Sequence, residues 1–155
     1  MKKGFARCTT GQIQGVQGEL LDVEVDISRG LHSFTIIGLT DRATNEAKDR
    51  VSSALKHSGI RSPKTENHKI TVSLVPAHIK KKGTQCDLAI AIAYLCAEGT
   101  LPQQSRDIIF LGELALDGHT RYTKGILPIL ESARRTRMTT CYIPYSNRHE
   151  ASLVE

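Results

Sequence analysis

Apolar and polar residues alternate along the early part of the chain. In residues 20–27 (LLDVEVDI) every second position from Leu21 onwards is apolar, which predicts a half-buried strand. Residues 33–37 have the composition of a second strand, and turn residues around Gly30 lie between the two segments. The pattern therefore predicts a β-hairpin.

The spacing then changes to that of a helix. Between Asp41 and Gly59 apolar residues recur every three or four positions, which predicts an amphipathic helix of about four turns. Residues 69–75 (KITVSLV) alternate again and predict a strand. Residues 88–97 are apolar on all sides, so we expect a central helix covered by other elements and ended by Gly99.

Shorter segments follow in the last third of the chain. They predict a strand at 108–116, a tight turn at 117–118, a helix at 129–135 and a strand at 140–143. The whole pattern indicates mixed α and β structure in a single domain, residues 1–155. Residues 147–155 begin like a helix and stop, so we expect a chain that has been cut from something longer.

Composition is that of an ordinary globular chain. Of the 155 residues 39% are hydrophobic and 24% are charged. The longest apolar run is about half of what a membrane-spanning helix needs, and no signal-type segment follows Met1, so we expect a cytoplasmic protein. The four cysteines form no CxxC pair, which argues against a structural zinc site.

The formal charge of +5 is unevenly distributed. Residues 56–82 contain seven Lys and Arg residues against one acidic residue, so this basic window alone carries +6. A concentrated positive segment is expected for a nucleic-acid partner, although such runs are often only solvated faces. Aromatic residues are missing from the window, so we expect contact with phosphates and little base stacking.

Several enzyme classes can be tested by motif. A phosphate-binding loop requires GxxxxGK[ST], and the nearest segment, residues 59–65, lacks the second glycine and contains Pro63, which has no amide hydrogen. GxSxG and HExxH are also missing from the sequence. We therefore expect this chain alone not to hydrolyse ATP.

The segment KKKGTQCDLAIAIA, residues 80–93, places a glycine turn before the apolar helix. Free amide groups at a helix N-terminus favour an anion or a nucleophile, which makes this turn a candidate site.

A series of short segments occurs in order along nearly the whole chain: VEVDI (23–27), GL (30–31), FTIIGL (34–39), EAKDRV (46–51), ITV (70–72), PA (76–77), KG (82–83), DL (87–88), IA (90–91) and LGELALDG (111–118). Together these segments resemble the N-terminal domain of magnesium-chelatase-related AAA+ proteins of the ComM/YifB type.

This resemblance implies an α+β fold of the ribosomal protein S5 domain 2-like type, a mixed β-sheet packed with helices. The Lon peptidase domain and the C-terminal domain of RadA share that fold. It also implies that an AAA+ ATPase module follows the domain in a hexameric DNA helicase that acts in branch migration during natural transformation. ATP and Mg are then expected only for that module, and no cofactor or metal is expected for this chain.

The relationship to Lon implies where a peptidase dyad would lie. Matching the glycines Gly83 and Gly125 puts Gln85 in the slot of the nucleophilic serine and Leu127 in the slot of the lysine base. A carboxamide and an alkyl group can perform neither role, so the dyad is expected to be lost.

Two neighbours of Gln85 also need an interpretation. Cys86 follows it, and a thiol at a helix N-terminus can have a lowered pKa, but no histidine is adjacent in sequence, so we interpret Cys86 as a packing residue. For Asp87 we predict a helix cap, because a carboxylate in the first turn satisfies free amides.

Three functional hypotheses remain. The first is a non-catalytic domain that contacts DNA, arranges subunits or does both, with five candidate DNA contacts: Lys80, Lys81, Lys82, Lys64 and Arg61. The second is a divergent Lon-like hydrolase that uses Cys86. The third is a purely structural module. In the whole protein we expect the AAA+ module and other copies of the chain as partners, and no membrane.

Overall fold

The computed structural model describes residues 4–65, 67–79, 81 and 84–154. The strands are β1 (Phe5–Gln14), β2 (Gln17–Arg29), β3 (Ser33–Ile37), β4 (His68–Val75), β5 (Ile108–Phe110), β6 (Glu113–Leu114), β7 (Thr120–Arg121) and β8 (Thr140–Tyr142). The helices are α1 (Asp41–His57), α2 (Asp87–Glu98), α3 (Ile126–Arg135) and α4 (Arg148–Ala151). The mixed α+β prediction is confirmed.

Six strands form the main sheet in the order β3-β4-β2-β1-β5-β8. The three central strands β4, β2 and β1 are antiparallel neighbours, and Val23 of β2 lies opposite Leu74 on one side and Cys8 on the other. The outer strands β3, β5 and β8 each run parallel to their inner neighbour. The strands β6 and β7 form a separate small sheet.

The predicted hairpin between residues 20–27 and 33–37 is wrong, although both strands exist. Strand β3 pairs with β4, where Phe34 lies opposite Ile70, and β4 stands between β3 and β2. Both edges of β2 are already occupied by β1 and β4. The only edge open to β3 on this side of the sheet is therefore the far edge of β4.

Strand β1 lies near the centre of the sheet, yet the sequence pattern did not predict it. Thr9, Thr10 and Gln12 are buried there beside Cys8. Since polar side chains occupy buried positions on both faces, the strand shows no alternation of apolar and polar residues. A hydrophobic pattern cannot reveal such a strand.

The helix α2 is the centre of the larger core. It packs against β1, β2 and α1, and residues all around it are buried, as its uniformly apolar sequence predicts. Burial of one side chain such as Ile90 stabilises the fold by about 1.5–3 kcal/mol. Gly99 ends the helix with φ 97°, a left-handed conformation that glycine adopts without strain.

The helix α3 packs with a second cluster around Ile109 and Leu111. Its start lies directly against β2, where a Cβ on Gly18 would overlap the carbonyl oxygen of Pro128. Only glycine permits this approach of backbone to backbone. The predicted helix at 129–135 is confirmed and begins three residues earlier, at Ile126.

The predicted strand at 108–116 is broken in two. Strand β5 ends at Phe110, and the amide of Gly112 donates to the carbonyl of Gln85 (2.9 Å) and not to a neighbouring strand. The chain then enters β6, outside the main sheet.

Among the described helices, none combines the length and the hydrophobicity that a membrane crossing requires.

Candidate functional site

The turn before α2 is fastened to the loop after β5. Gln85 is buried and its carbonyl accepts from Gly112, while the amide of Leu88 donates to the carbonyl of Gly112 (3.1 Å). Thr84 donates through its hydroxyl to the carboxylate of Glu113. These bonds hold the position that resembles the peptidase serine slot inside the protein.

Cys86 is buried within the larger core. Burial, with a smaller contribution from the neighbouring Asp87 carboxylate, raises the pKa of its thiol to about 12. A nucleophilic cysteine needs the opposite shift, because the thiolate is the reactive form. The environment of Cys86 favours the packing interpretation and disfavours a hydrolase that uses this thiol.

Asp87 pairs with an arginine from another helix. The Nε and one amino group of Arg50 donate to its two carboxylate oxygens at 2.5 and 3.1 Å, and the amide of Leu114 donates to Oδ2 (3.3 Å). Burial raises the pKa of Asp87 despite the opposing effect of Arg50. The carboxyl is only 2% exposed.

Asp87 lies in the first turn of α2, as the predicted cap requires, but the described hydrogen bonds of its carboxylate lead to other segments. Its carboxylate contacts α1 and the start of the small sheet, and the N-terminus of α2 has no side-chain cap. Sequence reasoning missed Arg50 as the partner. The available signal was its place one position before the buried Val51, at the edge of the apolar stripe of α1.

The second dyad slot lies in the first turn of α3. The side chain of Leu127 is half-buried and lines a surface cavity of about 440 Å³ beside Pro128 and Val16. Its amide donates to Oε1 of Glu150 (3.1 Å), so a carboxylate from α4 satisfies one free amide of α3. The geometry offers a packing residue here and no proton acceptor on the side chain.

The lysine turn is only partly described. Lys80 and Lys82, together with Gly83, lie outside the described residues. Lys81 is 7% exposed, its ammonium group donates to the carbonyl of Pro76, and burial lowers its pKa. This placement differs from the solvent-facing cation that the sequence suggested. A DNA contact by Lys81 stays a prediction, and it requires the ammonium group to leave Pro76.

The other two candidates lie elsewhere. Arg61 is exposed and lines a cavity of about 540 Å³ together with Arg29, His68 and Glu98. The ammonium group of Lys64 pairs with Oδ1 of Asp49 on α1 (2.7 Å) at the surface.

The basic window is consequently not one surface. Arg61 shares a cavity with His68 at the start of β4, whereas Lys81 binds Pro76 just after the end of β4. A strand of eight residues separates the two places by about 23 Å. In the described residues no group of three or more His, Cys, Asp or Glu side chains could hold a metal ion.

Comparison with known proteins gives the class first. The family profile described as subunit ChlI of Mg-chelatase matches residues 23–147, and the chain belongs to this AAA+ ATPase-related family.

Its relatives within the family are of the ComM/YifB type. The competence protein ComM of Haemophilus influenzae is 38% identical over 141 residues, which cover 90% of this chain and 27% of ComM. The uncharacterized protein YifB of Escherichia coli is 43% identical over 114 residues, 73% of this chain and 22% of YifB.

A more distant similarity connects the chain to a peptidase. The Lon protease of Buchnera aphidicola is 29% identical over 147 residues, 89% of this chain and 19% of that protein. The chain spans less than a third of the length of the curated relatives it matches.

Proposed function

We propose that this chain is a binding domain without peptidase chemistry, with the ribosomal protein S5 domain 2-like fold that the Lon peptidase domain shares. The observation that carries the proposal is the state of the dyad region. Gln85 and Leu127 supply neither a nucleophile nor a base, and the thiol between Gln85 and Asp87 has a pKa of about 12. The Lon similarity then reflects the fold and not the reaction.

The domain serves a DNA-processing AAA+ ATPase, through DNA contact, the arrangement of subunits or both. One relative carries the name competence protein, and the net charge of +5 of this chain suits a phosphate backbone. Arg61 and Arg29 are exposed around one cavity and are candidate contacts. Lys80, Lys82 and Lys64 are further candidates. The contact is electrostatic and independent of sequence.

In the whole protein the ATP and Mg belong to a separate AAA+ module, and hexamer formation depends mainly on that module. The present chain alone is therefore a monomer or a weak oligomer in the cytoplasm.

A DNA titration over a range of salt concentrations tests the proposal. We expect weak binding at low salt, and the variant Arg29→Glu/Arg61→Glu should flatten the slope of log affinity against log salt by roughly one unit for each lost phosphate contact. Arg42→Glu is the control, since Arg42 is an exposed arginine on α1 that pairs with Glu46. Absence of binding by the unaltered chain at low salt would leave only a structural module.

A peptidase assay tests the chemical half of the proposal. The purified chain should not cleave casein or fluorogenic peptides. Turnover that disappears in Cys86→Ser would establish the hydrolase instead.

A further inference from the structure

Three of the four tyrosines are exposed. Tyr122, Tyr142 and Tyr145 are 57%, 53% and 76% exposed, whereas Tyr94 is buried in the core. The ring of Tyr142 stacks on the buried Phe110 with ring centroids 5.1 Å apart, so one of its faces is covered by the core. The exposed rings of Tyr122 and Tyr145 are the candidates for stacking with a ligand.

A buried asparagine joins the two segments that carry Tyr122 and Tyr145. The side chain of Asn147 accepts from the amide of Thr123 (3.0 Å) and donates to the carbonyl of Thr123 (2.9 Å). It also donates to Glu150 (3.0 Å) and is 1% exposed. The neighbours of Thr123, including Tyr122, are thus held beside the neighbours of Asn147, including Tyr145.

Cations accompany the rings. Arg121, Lys124 and Arg148 are exposed. The guanidinium carbon of Arg148 lies 4.1 Å from the ring centroid of Tyr145, and one of its amino groups donates to the carbonyl of Tyr145 (3.1 Å). This stacking fixes the orientation of both side chains.

Two acidic residues lie beside this cluster, and both accept hydrogen bonds within the protein. Glu113 stands opposite Arg121 in the small sheet, and its carboxylate accepts from the hydroxyl of Thr84. Both carboxylate oxygens of Glu150 accept hydrogen bonds, one from the amide of Leu127 and one from Asn147. Residues 119–149 contain six Lys and Arg residues against one acid, outside the basic window of residues 56–82. Three of the six, Arg121, Lys124 and Arg148, accompany the rings, and the other three lie at or after the last turn of α3.

We propose that Tyr122, Lys124, Tyr145 and Arg148 form a binding surface for single-stranded nucleic acid, here named the tyrosine–arginine surface. Bases stack on the free faces of the two rings and on the guanidinium plane, and phosphates meet the cations. A single strand presents the faces of its bases, whereas a duplex hides them within its own stack. The inference rests on the proposed DNA function and adds a preference for single strands.

Tyrosine and arginine are also enriched at protein interfaces, but such interfaces have an apolar centre. The exposed residues that flank the two rings in sequence are Arg121, Lys124 and Ser146, and Arg148 lies on the Tyr145 ring. Polar and cationic surroundings of this kind favour a polyanion with flat bases as the ligand.

Three ligands test the inference: an oligo-dT strand, an abasic strand of the same length and a duplex. The abasic strand retains the phosphates and removes the bases. Because the chain contains no Trp, its own tyrosine fluorescence reports stacking directly. We expect oligo-dT to quench this fluorescence and to bind more tightly than the other two ligands.

Four variants make the assignment specific. Tyr122→Ala and Tyr145→Ala should each lower oligo-dT affinity by about fivefold to a hundredfold and leave abasic-strand affinity unchanged. Leu31→Ala and Arg134→Ala are matched controls, because Leu31 is an exposed apolar residue on another turn and Arg134 is an exposed arginine in the last turn of α3. Neither control should change binding. Thermal unfolding verifies that each variant is folded.

Each other outcome overturns the inference. Three outcomes would exclude the stacking surface and leave the proposed DNA function intact. The tyrosine variants could bind oligo-dT as tightly as the unaltered chain, they could lose as much affinity for the abasic strand as for oligo-dT, or the duplex could bind more tightly than oligo-dT. Loss of self-association in the tyrosine variants without any change in DNA affinity would show a protein interface. If the unaltered chain binds none of the ligands at low salt, the proposed function fails as well.

Discussion

The turn before α2 and the tyrosine–arginine surface differ in the exposure of their polar groups. At the turn, Gln85, Asp87 and Lys81 are buried, and each has a partner inside the protein. At the surface, Tyr145 and Arg148 are exposed and contact chiefly each other. The first region resembles a catalytic site in sequence, and the second contains no recognised motif.

The difference shows that burial and not motif position decides which region can meet a ligand. A buried polar group that is fully hydrogen-bonded stabilises the fold and has no remaining capacity for a substrate. The proposed function accordingly treats Gln85 and Leu127 as structural positions. Exposed rings beside cations retain their binding capacity, which is why we place recognition there.

Chemical labelling of the cysteines tests whether Cys86 in the turn before α2 is reactive. With a thiol pKa of about 12 instead of the ordinary 9.0, the thiolate fraction of Cys86 at pH 8 is about a thousandfold lower than that of a free cysteine. We expect iodoacetamide to modify the half-buried Cys141 well before Cys86, as read by mass spectrometry. Faster modification of Cys86 would restore a reactive turn.

Removal of Arg50 should strongly destabilise the turn. Arg50→Ala leaves the Asp87 carboxylate buried without its cation, and we expect a loss of about 3–5 kcal/mol in urea unfolding at pH 7. Arg42→Ala on the same helix removes an exposed charge and should cost less than about 1 kcal/mol. A cap role for Asp87 predicts no such dependence on Arg50, so equal effects of the two variants would support it.

The pH dependence sharpens this test. Arg50 lowers the pKa of Asp87, while burial raises the pKa above the usual 3.8. Without Arg50 the folded-state pKa rises further, so the variant takes up its proton at a higher pH than the unaltered protein. The loss of unfolding free energy caused by Arg50→Ala should be largest at a pH above the folded-state pKa of Asp87 in both the unaltered protein and the variant. It should become smaller as the pH falls through these two pKa values. A loss that is constant from pH 7 to pH 4 would contradict the pairing.

At the tyrosine–arginine surface the corresponding support residue is Asn147. Asn147→Ala leaves the amide and carbonyl of Thr123 without partners, and we expect a loss of about 1–3 kcal/mol. The loop that carries Tyr122 should also exchange its amide hydrogens faster, with weaker oligo-dT binding as a consequence. Unchanged exchange at Thr123 would show that Asn147 does not hold the loop.

The smallest effect is expected at Lys64. Its pair with Asp49 joins two exposed side chains, 52% and 67% accessible, and such pairs contribute at most about 1 kcal/mol. Lys64→Ala should therefore change the melting temperature very little. A large loss would show that this surface is more constrained than its exposure indicates.

The sequence predicted those elements whose burial follows a simple period. The strand at 69–75 and the helix at 88–97 are close to β4 and α2, because each has one kind of side chain at its buried positions. Strand β1 was not predicted, because the polar residues Thr10 and Gln12 occupy buried positions in it. The pairing of β3 with β4 escaped because it depends on which sheet edge is free, a property of the whole topology.

The residues of the candidate site likewise fall into those that the sequence could locate and those that it could not. Resemblance located the slots of Gln85 and Leu127, which are fixed by sequence order. The partners of Asp87 and Lys81 come from other segments, so local sequence could not supply them. Asn147 was interpreted as the start of a helix, whereas its side chain contacts Thr123, a residue distant in sequence. The basic residues in 119–149 were not recognised from the sequence, because acidic residues elsewhere balance them in the net charge of the chain outside residues 56–82.

Hydrogen–deuterium exchange with and without oligo-dT reports on the turn before α2 and on the tyrosine–arginine surface in one experiment. If recognition takes place on the tyrosine–arginine surface, bound DNA should slow exchange at residues 121–124 and 145–149 and leave residues 84–98 unchanged. Slower exchange at residues 84–98, with no change at the two tyrosine segments, would return the binding site to the turn before α2 and contradict the account.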